Sequence, residues 1–137
     1  MIWGVGTDLV ELRRIGKAGV LRLARRILTD REREHLPGTD LRRLEFVAGR
    51  FAAKEAVAKA CGTGIGEFLS FRDIEILSDA RGKPQVRLHG EKLRTLWQGA
   101  RVRVHVSIAH SDGHAMAFAV VEHVQNDSLR PADAEDV

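Results

Sequence analysis

The chain has 137 residues, 44% hydrophobic and 30% charged, the size and composition of a single soluble globular domain with a real core. Its one cysteine, Cys61, excludes a disulfide framework and a cysteine-rich zinc site, and no stretch reads as a membrane span or a signal peptide, so a reducing cytoplasm is the expected setting. The net charge is only +3, and the placement of the arginines says more than their sum.

From the N-terminus, Ile2, Trp3, Val5, Leu9 and Val10 predict a buried strand, with Gly4 and Gly6 letting another backbone come close. Asp8 is out of place in it. It reads either as a cap or turn residue before the next helix or as an oxygen ligand for a hard dication. Leu12–Leu28 carries Arg13, Arg14, Lys17, Arg22, Arg25 and Arg26 and no acidic residue. Ile15, Val20, Leu23, Ala24 and Ile27 give it an apolar side, so it predicts a basic helix with a break near Gly16 and Gly19. Such a run reads as a solvated face or as a docking surface for an acidic partner: nucleic acid, an anionic membrane surface or an acidic protein. The absence of interleaved aromatics argues against base stacking. Thr29–Glu34 predicts a short capped helix, ended by Pro37-Gly38.

Thr39 or Asp40 then caps the helix around which the rest is organised, running to about Cys61. Leu44, Val47, Ala48, Phe51 and Ala58 form one apolar stripe. Glu55 falls within that stripe, Lys59 one turn on beside it, and Arg50 and Lys54 on its flank. A carboxylate facing the core is costly unless paired or metal-bound. The alternatives are a helix-supporting Glu55–Lys59 pair and a polar site cut into the packing surface. Gly62-Thr63-Gly64-Ile65-Gly66 ends the helix. It reads as a plain connector or as a loop offering backbone N–H groups to a phosphate.

Phe71–Leu77 predicts a strand, Ala80–Pro84 a turn, Gln85–Leu88 a return strand and Glu91–Trp97 a short helix. Arg101–His110 alternates, with His110 on the face of Val102, Val104, Val106 and Ile108. Asp112-Gly113 marks a hairpin into Ala115–Val121, which is apolar on both faces and needs cover on both. Residues 125–137 read as a polar, acidic, disordered tail, leaving 1–124 as the domain. Ser107, Ser111, His105, His110 and Asp112 lack the nucleophile elbow of a hydrolase.

Taken in order, Gly6-Thr7-Asp8-Leu9-Val10-Glu11, Arg50-Phe51-Ala52-Ala53-Lys54-Glu55-Ala56, Gly62-Thr63-Gly64-Ile65, Gly82-Lys83-Pro84 and His105-Val106-Ser107-Ile108-Ala109-His110-Ser111 resemble the motifs of holo-acyl-carrier-protein synthase, the short single-domain type of 4′-phosphopantetheinyl transferase. The likeness runs from Met1 to about Val124, with Ala109 standing where family members often carry Ser or Thr. The resemblance implies an α+β fold whose strands pack around the axis of a homotrimer, with active sites at subunit interfaces. It implies transfer of the phosphopantetheine arm of coenzyme A to a serine of acyl carrier protein, in fatty acid biosynthesis. It implies Mg²⁺ held by Asp8 and Glu55. In that setting Lys59 is expected to steady the leaving group, Glu55 to serve as base with His110 second, and Arg50, Lys54, Lys59, Gly62, Thr63, Gly64, Pro84, His110 and Ser111 to bind coenzyme A. Arg13, Arg14, Arg22, Arg25 and Arg26 are expected to dock the acidic carrier protein. Two other readings compete: a basic nucleic-acid-binding module and a non-catalytic trimeric scaffold. Neither explains why Asp8, Glu55 and Lys59 occur together.

Overall fold

In chain order the elements are β1 (Ile2–Glu11), α1 (Leu12–Ala18), α2 (Val20–Ile27), α3 (Asp30–Arg33), α4 (Asp40–Ala60), β2 (Ile74–Ser78), β3 (Pro84–Leu88), α5 (Glu91–Leu96), β4 (Val102–Ser111) and β5 (His114–His123). The computed structural model describes residues 1–125. The expected acidic tail therefore lies, from residue 126 onward, outside the described residues. The fold is α+β. One antiparallel sheet has the order β1-β5-β4, and β2 and β3 form a separate hairpin. Asp112 and Gly113 take φ of 47° and 76°, the two positive values that a tight β4–β5 hairpin needs. Among the described residues no helix is long and apolar enough to cross a membrane.

Strand periodicity decides what β1 shows to α4. Gly4, Gly6, Asp8 and Val10 share one face, and Ala117 of β5 pairs with Asp8 in the same row. The sheet and helix meet almost backbone to backbone: a Cβ on Gly4 would lie 2.0 Å from the Ala60 carbonyl oxygen, and one on Gly6 2.1 Å from that of Ala56. The small side chains of Ala52, Ala56 and Ala60 on α4 and of Ala115, Ala117 and Ala119 on β5 are all buried. This close approach brings Asp8, two residues beyond Gly6 on the same face, beside the helix.

Two expectations are corrected here. β1 is not a buried strand: Ile2, Trp3, Val5 and Leu9 are exposed, and only Val10 of the predicted apolar set is buried. The register aligns Leu9 with Met116 and Thr7 with Phe118, so the outer face of the sheet is apolar and open. Nor does α4 bury a single stripe. Val47, Ala48, Ala52, Ala53, Lys54, Ala56, Val57, Ala58 and Ala60 are buried, because the sheet, α1, α2 and β2 all pack on it. Small alanines let neighbours approach from several sides at once. Glu55 is half-buried at the edge of this packing.

Local signals account for the remaining elements. Gly19, at φ 95°, separates α1 from α2 where the break is expected. Thr29 caps α3 through a reciprocal pair with Glu32, each side chain accepting from the other's backbone N–H. Phe71–Asp73 is a 3-10 turn rather than the start of a strand, because Ser70 and Asp73 cap each other in the same reciprocal way.

Candidate active site

Asp8 from β1 and Glu55 and Lys59 from α4 meet in a cleft of about 410 Å³ whose other walls include Arg14, Ile15, Leu23 and Phe51. The Lys59 Nζ donates to the Thr7 carbonyl at 2.9 Å and to Asp8 Oδ1 at 3.2 Å. Burial pushes the Glu55 carboxyl above its ordinary value. The nearby Asp8 carboxylate adds to this, and Lys59 pulls the other way. One ammonium thus bonds Asp8 and acts on Glu55 only through its field. The donor set is all oxygen, with the Thr7 carbonyl beside two carboxylates, and negative charge is left over. That is the chemistry a hard dication such as Mg²⁺ requires, and the residues fit it.

A second hollow, about 350 Å³, lies on the other flank of α4, lined by Arg50, Ser78, Gly82, Lys83, Pro84, residues 106–108 and His110. At 100° per residue, Arg50 and Glu55 point roughly 140° apart around the helix. The Arg50 guanidinium stands 4.6 Å over the Phe46 ring, and one terminal nitrogen donates to Ser78 Oγ at 3.3 Å. Its Nε is buried with no partner. Burial lowers its hold on the proton, against the pull of Glu32. His110 Nε2 donates to the Glu45 carbonyl at 2.9 Å, which fixes the proton on that nitrogen. A cavity edged by Arg50, Lys83 and a histidine suits a phosphate. Within one chain this half of the expected site is not brought to Asp8, Glu55 and Lys59.

Two expectations for coenzyme A contacts, Lys54 and the glycine-loop amides, meet groups already engaged within the fold. Lys54 is fully buried: its Nζ donates to the Ile27 carbonyl at 2.6 Å, to Glu32 Oε1 at 2.6 Å and to the Phe71 carbonyl at 3.0 Å. All three of its protons are spent inside the fold, and none remains for a phosphate. The glycine loop is spent too. The amides of Gly62, Thr63 and Gly64 donate to the carbonyls of Lys59 (3.0 Å) and Ala58 (3.3 and 3.1 Å), closing the C-terminus of α4. That end of a helix carries the negative pole, which disfavours an anion. Ser111, next to His110 on β4, is not among the residues that line the hollow.

Other residues went unnoticed in the sequence. Glu32 is the buried counter-ion of Lys54, and its second oxygen accepts from Ile76 N at 2.8 Å. A cap at the start of α3 was legible, whereas neither role of Glu32, as reciprocal cap of Thr29 and as counter-ion of Lys54, was. Lys83, within a quoted motif, and Ser78 line the Arg50 hollow. Arg14 belongs to both surfaces, for it walls the carboxylate cleft and begins the basic face. Arg13, Arg14, Lys17, Arg22, Arg25 and Arg26 are all exposed, with Leu21, 48% exposed, among them.

The model of the 4′-phosphopantetheinyl transferase superfamily matches residues 4–119. A holo-[acyl-carrier-protein] synthase of Bacillus mycoides is 50% identical over 125 residues, covering 89% of this chain and 97% of that protein. The crystal structure of a holo-(acyl-carrier-protein) synthase from Bacillus anthracis in complex with CoA (3′,5′-ADP) superposes with a TM-score of 0.74 at 46% identity, over 89% of this chain and 97% of that one. The corresponding synthase of Neisseria meningitidis gives 0.76 at 42%, over 89% and 99%.

Proposed function

Since the chain belongs to the 4′-phosphopantetheinyl transferase superfamily, we propose that it transfers the 4′-phosphopantetheine arm of coenzyme A to a serine of apo acyl carrier protein and releases adenosine 3′,5′-bisphosphate. The observation that carries this reading is the cleft lined by Asp8, Glu55 and Lys59, with the Lys59 ammonium bonded to Asp8, beside an exposed basic face. The step is a phosphoryl transfer. The serine oxygen forms a bond to the β-phosphorus of the pyrophosphate as the bond to the bridging oxygen breaks, and the bisphosphate takes the electron pair. Positioning and charge neutralisation do most of this work.

Asp8 and Glu55 are the residues that would hold Mg²⁺, which when bound neutralises charge on the pyrophosphate oxygens. Glu55, which lines the cleft with Asp8 and Lys59, is the residue placed to accept the serine proton. His110 is the weaker candidate, since its Nε2–H is engaged with Glu45 and it lies on the other flank of α4. Lys59 steadies the departing bisphosphate. Arg50, with its buried unpartnered Nε, binds a coenzyme A phosphate together with Lys83, Pro84 and His110. The two hollows sit on opposite flanks of one helix, which supports a site completed by a neighbouring copy. The open apolar face of Val5, Leu9, Met116 and Phe118 supports a homotrimer packed about its sheets. Arg13, Arg14, Arg22, Arg25 and Arg26 dock the acidic carrier protein next to the cleft. The enzyme acts in the cytoplasm, supplying holo carrier protein for fatty acid biosynthesis.

The test is mass spectrometry of apo acyl carrier protein incubated with this chain, coenzyme A and Mg²⁺. The expected result is a carrier protein heavier by one phosphopantetheine, with none formed in chelator. No mass gain, together with salt-sensitive nucleic-acid binding, would favour the basic-module reading instead. Light scattering checks the assembly: a stable, active monomer is incompatible with a shared site.

A further inference from the structure

On the premise that Asp8 and Glu55 hold a dication, we propose that Lys59 is the resident cation of the metal-free cleft. Its ammonium occupies Asp8 until the dication enters, then leaves Asp8 for the anionic substrate. The arrangement sets this up in three respects. The Lys59 Nζ is bonded directly to Asp8 Oδ1 at 3.2 Å, and its second bond, 2.9 Å to the Thr7 carbonyl, engages another oxygen of the same cleft. The ammonium thus sits on two of the oxygens a hard cation would seek. An ammonium and a dication repel each other, and neither shares a half-buried carboxylate oxygen without weakening the other's hold. Lys59 is also free to move. Its side chain is 52% exposed on a flexible four-carbon stem, unlike Lys54 on the same helix, whose side chain is wholly enclosed.

The consequence is coupling. Entry of the dication frees the ammonium, and the freed ammonium faces the open cleft that receives a phosphate. Metal loading and anion binding therefore reinforce each other through one side chain, and the coupling is reciprocal. A lysine that only contacts phosphate would leave the affinity of the empty cleft for metal unchanged, beyond the general effect of one nearby charge.

The experiment uses the full chain without coenzyme A or carrier protein, so its outcome is independent of whether transfer occurs. Mn²⁺ alone is titrated and the free ion measured by electron paramagnetic resonance. Lys59→Met, which keeps the stem and removes the charge, should tighten Mn²⁺ binding by roughly tenfold, within the usual range of such couplings. Arg14→Met is the control, because Arg14 lines the same cleft without bonding Asp8. It should change binding far less. Equal gains in the two variants would reduce the effect to general electrostatics and overturn the proposal. So would unchanged or weaker binding in Lys59→Met, or the absence of Mn²⁺ binding in the unaltered chain. A second measurement on the unaltered chain needs no variant to fold. In ¹⁵N,¹³C-labelled protein, the scalar coupling between Lys59 Nζ and the Asp8 carboxyl carbon should be present without metal and vanish at saturating Mg²⁺. Its persistence at saturation would overturn the proposal as directly.

Discussion

Lys54 and Lys59 stand on one helix, five residues apart, and each bonds a carboxylate, yet their surroundings differ in kind. Lys54 and Glu32 have no exposed surface, and every donor of the one and both oxygens of the other are satisfied. The bonds tie α4 to the end of α2, to α3, to the 3-10 turn and to β2. The Lys59 side chain is half-exposed, its bond to the more sheltered Asp8 is longer, at 3.2 Å, and Glu55 beside them keeps negative charge that nothing fully offsets. A buried pair that is complete has nothing left to offer a ligand, whereas an incomplete cluster at the edge of the core has. Both arise from neighbouring turns of α4, and sequence spacing alone does not separate them.

The comparison breaks first at Lys54. Lys54→Met removes one partner and leaves Glu32 as an uncompensated buried charge, which costs about 3–5 kcal/mol. Urea denaturation should read that loss in full, and coenzyme A affinity of the remaining folded fraction should stay near normal. A well-packed double change, Lys54→Met with Glu32→Leu, should recover much of the stability. A stable Lys54→Met chain with weakened coenzyme A binding would return Lys54 to the ligand site.

At Asp8 the expected effects invert. Asp8→Ala removes a carboxylate from a half-open cleft and should leave the denaturation midpoint nearly unchanged. Transfer should fall by about a hundredfold to a thousandfold, as loss of several kcal/mol of charge stabilisation requires. Parallel loss of stability and activity would mean that Asp8 is only a partner for Lys59. The exposed arginines test the far end of the same scale. Arg22→Glu with Arg25→Glu, both exposed and outside the cleft wall, should raise KM for carrier protein several-fold and flatten its salt dependence, because exposed charges steer encounter more than they bind. KM for coenzyme A should barely move, and a change confined to coenzyme A would sink the docking role.

How much of this was legible beforehand depended on the range of the physics involved. The helix ends, the break at Gly19, the Asp112-Gly113 hairpin and the β4 alternation follow from local rules, and the structure keeps them. Asp8 and Glu55 stood out because each is a carboxylate in an apolar pattern. Lys54 did not, since its partner Glu32 is distant in sequence and already had a local use as the reciprocal cap of Thr29. The Gly62–Gly64 loop had the composition of a phosphate cradle, but whether its amides are free depends on how α4 ends. The exposure of Val5 and Leu9 was hidden for a related reason: Gly4 and Gly6, with almost no apolar side chain, face the core and displace the larger residues outward. A hydrophobic pattern names the apolar face of a strand, whereas close helix packing can select the other one.

The smallest expected effect is also the one that isolates the leftover charge. In the folded chain the Glu55 carboxyl is raised, first by burial and then by Asp8. Folding therefore favours its protonated form. The favourable contribution is complete below the ordinary glutamate range, near 4.3, and is lost as pH rises through the folded value. At neutral pH the ionised side chain thus burdens the fold slightly, and Glu55→Gln relieves it. Because Glu55 is only half-buried, solvent screening limits the gain to roughly a few tenths of a kcal/mol. Mg²⁺ should reverse the order. A dication at ten times its dissociation constant stabilises the unaltered chain by about 1.4 kcal/mol, and the Gln variant, having lost a ligand, gains less. Thermal melts at neutral pH would then show Glu55→Gln slightly above the parent in chelator and below it in Mg²⁺. As pH falls through the ordinary glutamate range the metal-free difference should shrink, because the parent carboxyl itself takes up the proton. Melting curves that keep the same order with and without Mg²⁺ would mean that the charge left over at Glu55 serves the fold rather than the metal.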